Sequence, residues 1–186
     1  LSARVARMPR RTVSMLTEIM AKEGTEFSPY ASAKCLKCRF FNVCIGNLRP
    51  AARYKVVKVR FHKNKCPLLR EEMYVVEIEE LPVRLVIDTR LAVPGMTIRY
   101  SLPANCVDEK VRKYNVKCEP PYIIEGEKIL VKKIIAKLDG GLTVVEAEIL
   151  EPPSQELWYR IFPQSVPRTG LRRGSRRFSR SRKAVQ

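Results

Sequence analysis

Apolar residues alternate with Lys or Glu in four stretches of the chain: "YKVVKVR" from Tyr54, "MYVVEIEE" from Met73, "KILVKKII" from Lys128 and "LTVVEAEI" from Leu142. A period of two, rich in β-branched residues, predicts strands with one face buried and one face wet. Asp139-Gly140-Gly141 predicts the hairpin turn between the last two. Upstream, "TVSMLTEIMAKEGTEF" contributes a strand followed by a short turn or helix. Between the two pairs, "VRLVIDTRLAVPGMTIRYSLP" adds another strand or two, broken at Pro94-Gly95.

The two pairs repeat one rhythm. Tyr54 to Arg60 aligns with Ile129 to Ile135, Val75-Val76-Glu77 with Val144-Val145-Glu146, and Cys44 falls near Cys118. The expected fold class is mainly β or α+β, built from two repeated small β units between basic extensions. The boundaries read as a basic extension at 1–11, a first unit at 12–82, a second at 83–166 and an Arg-rich tail at 167–186. Glu77 and Glu146 hold equivalent repeat positions beside Val-Val and are read as solvent-facing strand residues, not as a carboxylate pair.

Four of the six cysteines change this picture. Cys35, Cys38 and Cys44 form C-x2-C-x5-C, and Cys66 follows after 21 intervening residues, ahead of Pro67. A two-residue spacer lets two sulfurs face one ion, one helical turn returns the third, and loop closure supplies the fourth. Lys34, Lys37, Arg39, Lys63 and Lys65 favour thiolates and offset their charge. The expected cofactor is one metal centre in the first unit on Cys35, Cys38, Cys44 and Cys66. A remote cysteine before a proline places [4Fe-4S] ahead of Zn2+, with unligated or disulfide-bonded cysteines as the remaining alternative. Cys106 and Cys118 read as small core residues or one disulfide.

Charge points to a polyanionic partner. The chain of 186 residues carries a formal charge of +17. The segment "PRTGLRRGSRRFSRSRKAVQ" holds Arg168, Arg172, Arg173, Arg176, Arg177, Arg180, Arg182 and Lys183, and the other end holds Arg4, Arg7, Arg10 and Arg11, with no acid in either. Arginine forks pair with phosphate and release its counterions, and Phe178 can stack on a base. These thirteen residues are the expected RNA contacts.

No apolar run approaches the ~18 residues of a membrane span, and the N-terminal stretch lacks the apolar core of a signal peptide, so the reading is cytoplasmic with no membrane partner. His62 is the single histidine, and no phosphate-cradling glycine loop or nucleophile motif is present. The expectation is therefore no enzyme, no catalytic residue and no small-molecule substrate. Trp158, Tyr159 and Phe162 in "ELWYRIFP" read as core or a strand end, with docking onto a partner as the lesser reading.

"AKEGTEF", "CLKCRFFNVC", "NLRPAARYKVVKVR", the Cys-Pro step and "VVEIEE" resemble an archaeal family of small multi-cysteine proteins, uncharacterised protein family 0179. The resemblance covers positions 12 to 151 and weakens in the second half. It implies a second cysteine set in the second repeat, where this chain has Cys106 and Cys118. It implies no activity. Together with the basic extensions it leads to a first expectation: a structural RNA-binding component of an archaeal ribosome, with ribosomal RNA and neighbouring ribosomal proteins as partners. The alternative is an iron–sulfur redox or nucleic-acid-modifying accessory protein.

Overall fold

A computed structural model of the chain describes residues 9–165. Eight strands frame it: β1 (Arg11–Thr17), β2 (Glu26–Phe27), β3 (Tyr54–Lys65), β4 (Glu72–Glu80), β5 (Val83–Asp88), β6 (Thr97–Arg99), β7 (Lys128–Lys137) and β8 (Leu142–Ile149). Three short helices, α1 (Phe41–Cys44), α2 (Asp108–Val111) and α3 (Glu156–Ile161), lie in the connections and after β8. The four alternating stretches are β3, β4, β7 and β8. Gly140 and Gly141 both take positive φ, 79° and 76°, at the expected hairpin turn, where only glycine is free of Cβ strain. The fold is mainly β, as expected.

The strands form two four-stranded antiparallel sheets, ordered β1-β4-β3-β2 and β5-β8-β7-β6. The order is the same in each half, and so is the register. Val56–Ile78, Lys58–Glu77 and Val59–Val76 in the first sheet recur as Val131–Ala147, Lys133–Glu146 and Ile134–Val145 in the second, with a register shift at the same step. An extra residue at that step bends the ladder and strengthens its twist. Gly24 and Gly95, at φ 85° and 84°, donate to Val56 O and Val131 O at 2.8 and 2.7 Å. Agreement in strand order, bulge and glycine bend supports the two repeated units.

One core serves both sheets. Tyr54, Val56, Val76 and Ile78 of the first pack in a single cluster with Leu85, Ile129, Val131, Val145 and Ala147 of the second. The opposite faces have separate covers. Val86 and Val144 lie under the 106–118 loop through Val111 and Val116. On the first unit, Phe41 and Ile45 pack with Trp158 of α3. In the "ELWYRIFP" stretch Leu157 and Trp158 are core, and the segment is helical rather than a strand end. Trp158 Nε1 donates to Ile45 O and Leu48 O at 3.0 and 2.9 Å, which fixes α3 across the chain's first half.

A buried ionic hub ties the halves together. The Arg49 side chain has no solvent exposure. Its two Nη atoms donate to the Glu127 carboxylate at 3.1 and 2.9 Å, to Tyr122 O at 2.9 Å and to Glu151 O at 2.6 Å. Nε lies 3.1 Å from Glu80 Oε1 as a charge contact without hydrogen-bond alignment. Arg10 bonds the other Glu80 oxygen at 3.1 Å and Asn47 O at 2.9 Å. Burial pushes the Glu80 carboxyl above its ordinary value, and Arg49 and Arg10 pull it back only in part.

Arg49→Met leaves the buried Glu127 and Glu80 without their shared cation, and urea unfolding should show a loss of ~3–5 kcal/mol. In the native state Glu80 holds a proton above pH 4.5, the ordinary value at which the unfolded chain releases it. Native protons in excess mean that this group's contribution falls as pH rises through that window. Glu80→Gln should therefore flatten the stability profile just above pH 4.5, measured as urea midpoints against pH.

Candidate metal centre

Two segments bring the four expected thiols together. Cys35 lies in the 3-10 turn Ala33–Lys37, Cys38 follows it, and Cys44 closes α1. Cys66 begins the turn of the β3–β4 hairpin, where Arg70 N–H donates to Cys66 O and Cys66 N–H to Glu71 O, both at 2.9 Å. Gly46 makes the tuck after α1 possible, because a Cβ there would meet Phe41 O at 3.0 Å and the Asn42 backbone at 3.1 Å. Ser14 of β1 anchors α1 by donating to Cys44 O at 2.6 Å.

All four are free thiols, and all four line one cavity of about 30 Å³ with Met15, Phe40, Phe41 and Pro67. Among the described residues, no group of three or more Cys, His, Asp or Glu side chains is arranged to hold a metal ion, so the expected four-cysteine site is not assembled in this structure. The sulfurs line an apolar void. A larger apolar groove of about 260 Å³ runs past Cys35, Cys44 and Cys66 beneath Tyr30 and Leu69.

Backbone donors point at three of the sulfurs. Cys35 Sγ accepts from Ser32 N–H at 3.4 Å, Cys38 Sγ from Phe40 N–H at 3.4 Å and Cys66 Sγ from Leu69 N–H at 3.5 Å. Such bonds strengthen as sulfur becomes anionic. Cys44 differs: burial first, then the neighbouring Cys35, Cys66 and Cys38, push its thiol up to about 12. Of the expected flanking cations, Arg39 stacks over the Phe40 ring at 4.7 Å. Lys63 is committed to Glu72 at 3.3 Å and to the Tyr74 face. His62 is exposed on β3.

The sequence pattern did not reveal the supporting atoms at Ser14, Ser32 and Gly46. Ser32, three residues before Cys35, was the accessible signal, since a residue there can cap the turn that presents the sulfur.

The second unit closes its equivalent loop covalently. Cys106 and Cys118 form a disulfide across the loop that carries α2, with Cα atoms 5.6 Å apart. Cys118 N–H donates to Asp108 Oδ1 at 2.8 Å and Tyr100 Oη donates to Cys118 O at 3.5 Å. Of the two readings the sequence left open for this pair, the structure shows the disulfide. Replacing both cysteines with Ser should cost ~3 kcal/mol, the scale for closing a loop of this size, read as a lowered urea midpoint.

Of the expected RNA contacts, Arg10 serves the hub and Arg11 opens β1, opposite Glu79. Arg4, Arg7, Arg168, Arg172, Arg173, Arg176, Arg177, Phe178, Arg180, Arg182 and Lys183 lie outside the described residues. No helix among the described residues is long and apolar enough to cross a membrane.

Fold and site together define a class: a two-sheet antiparallel β protein with a four-thiol pocket under one sheet and a disulfide-closed loop under the other. The chain belongs to Uncharacterised protein family UPF0179, whose model matches residues 12–145. The UPF0179 protein of Pyrococcus furiosus is 35% identical over 147 residues, covering 77% of this chain and 99% of that relative. That of Pyrococcus horikoshii is 32% identical over 130 residues, covering 69% and 89%. That of Methanosarcina mazei is 31% identical over 130 residues, covering 69% and 85%. No solved structure matches the chain.

These comparisons overturn the expected place in an archaeal ribosome. The relatives are named only as UPF0179 proteins, with no ribosomal or RNA-binding designation. The family match ends at residue 145, short of the Arg-rich segment on which the expectation rested. A run of cations suits any polyanion and so does not identify one. The alternative of an iron–sulfur redox or nucleic-acid-modifying accessory protein finds no support in these names either, and both readings are withdrawn.

Proposed function

We propose that this protein is a non-enzymatic holder of one four-cysteine metal centre, [4Fe-4S] in preference to Zn2+, on Cys35, Cys38, Cys44 and Cys66. The observation that carries the reading is the meeting of four free thiols, from two segments 21 residues apart, around one apolar void.

The donor set fits such a group. Soft thiolates suit zinc and iron–sulfide alike. Here the cavity is about 30 Å³, well above the ~10–15 Å³ needed for one water. The preference for a cluster rests on Cys66 standing alone before Pro67, a step frequent in iron–sulfur ligation. When bound, a cluster would cross-link the 35–44 segment to the β3–β4 hairpin. The chain's own part is to present anionic sulfur: the Ser32, Phe40 and Leu69 amides each aim at a ligand, while Phe40, Phe41 and Met15 exclude water.

Full-length protein purified without oxygen should contain ~4 iron and as much acid-labile sulfide per chain, with broad visible absorption, for one Cys₄-held cluster. Cys66→Ser should lose most of the iron while far-ultraviolet circular dichroism is unchanged. One zinc per chain would overturn the preference for a cluster but keep the four-cysteine centre, and protein free of any metal would sink the reading.

A further inference from the structure

A second site is built into the disulfide-closed loop. A cleft of about 540 Å³, within the range of small-molecule sites, is lined by Arg112, Asn115 and Lys117 of that loop, by Ala51 of the first unit, and by Pro121 and Tyr122. A neighbouring cleft of about 240 Å³ shares Ala51, Asn115 and Tyr122 and adds Arg53 and Arg84.

The walls are fixed from both sides. Tyr122 Oη donates to Arg84 O at 2.6 Å, and its carbonyl accepts from the buried Arg49 at 2.9 Å, so the ring is held by the hub. The Cys106–Cys118 bond and the Cys118 N–H to Asp108 contact fix the loop opposite. Preorganised walls of this kind lower the ordering cost of binding.

The cleft lining carries two cations, Arg112 and Lys117, against one carboxylate, Asp108. Arg112 and Lys117 are exposed and have no acidic partner among the described residues. Asp108, the acid on the same wall, already accepts from Cys118 N–H. In the neighbouring cleft, Glu146 is paired with Lys133 at 3.5 Å and Arg53 with Glu26. Two free cations over a tyrosine and proline surface suit an anion joined to a flat apolar body.

We propose that this cleft binds a small phosphate-bearing molecule, its phosphate paired with Arg112 and Lys117 and its planar part packed on Tyr122 and Pro121. The site is independent of the metal centre, and it adds a small-molecule ligand where the sequence led to the expectation of no small-molecule substrate.

The test uses the full chain, with adenosine monophosphate and inorganic phosphate as probes, followed by amide NMR shifts and calorimetry. Adenosine monophosphate should bind saturably and shift amides between 108 and 122, with inorganic phosphate weaker at the same amides. Arg112→Glu with Lys117→Glu, on exposed positions that leave the fold intact, should weaken binding at least ~10-fold, the scale of one lost charge-assisted bond. No saturable shift with either probe, or unchanged affinity in the double variant, overturns the proposal. Equal affinity for both probes overturns the role given to Tyr122 and Pro121.

Discussion

Arg49 carries the one contact set on which the two halves depend jointly. A guanidinium has five donors in a planar fork, and here the two Nη groups donate to the Glu127 carboxylate just before β7 and to carbonyls before β7 and after β8, while Nε makes only a charge contact with Glu80 at the end of β4. A buried ion pair is weak evidence for net stability, because desolvating the charges offsets their attraction. Its value is in specificity. Two small sheets with nearly interchangeable apolar faces could slide or pair wrongly, and few arrangements satisfy this fork. The backbone amide of Arg49 donates to the buried Tyr54 hydroxyl at 2.8 Å, so the hub is fastened to the shared core as well.

The duplicated frame explains why sulfur is placed where it is. Each unit buries one sheet face against the other unit and must cover its second face with a connection: residues 35–48 in the first, 106–118 in the second. Their helices, α1 and α2, have four residues each. One turn of helix cannot hold itself together, since nucleation costs more than a single turn returns. Packing and links from outside the turn keep such a cover in place. The disulfide is such a link in the second unit, and in the first the Trp158 indole N–H ties the cover down through Ile45 O and Leu48 O.

The strands were legible because period-two patterning survives in any half-buried sheet, and Asp139-Gly140-Gly141 announced its own turn. The repeat was legible for the same reason. α3 was not, since six residues around Trp158 show no helical period long enough to separate from a strand end. The thiols were legible by type and spacing. Their supports were not, because Ser14, Ser32 and the amides of Phe40 and Leu69 act through folded positions that residue identity does not encode. The hub was invisible too: Arg49 and Glu127 are 78 positions apart, and each alone looks like an ordinary surface charge.

The error about the partner came from weighing charge against geometry. Twelve cations at the two ends were read as a statement about function, yet Arg10, one of them, is spent inside the fold on Glu80 and Asn47. Net charge describes the long-range field and says nothing about which groups are free to meet a ligand. Judged by free groups among the described residues, the candidate surfaces narrow to places where cations lack acids and walls are immobile. The cleft beside Tyr122 carries two such cations, Arg112 and Lys117, with Asp108 on the same wall, and the net charge could not single them out. Its cations are held by a loop whose closure depends on the same residue type, cysteine, that lines the pocket of the other unit. Gene duplication followed by divergence of the loop chemistry would leave this asymmetry: one cover lined by four free thiols, the other sealed by a disulfide.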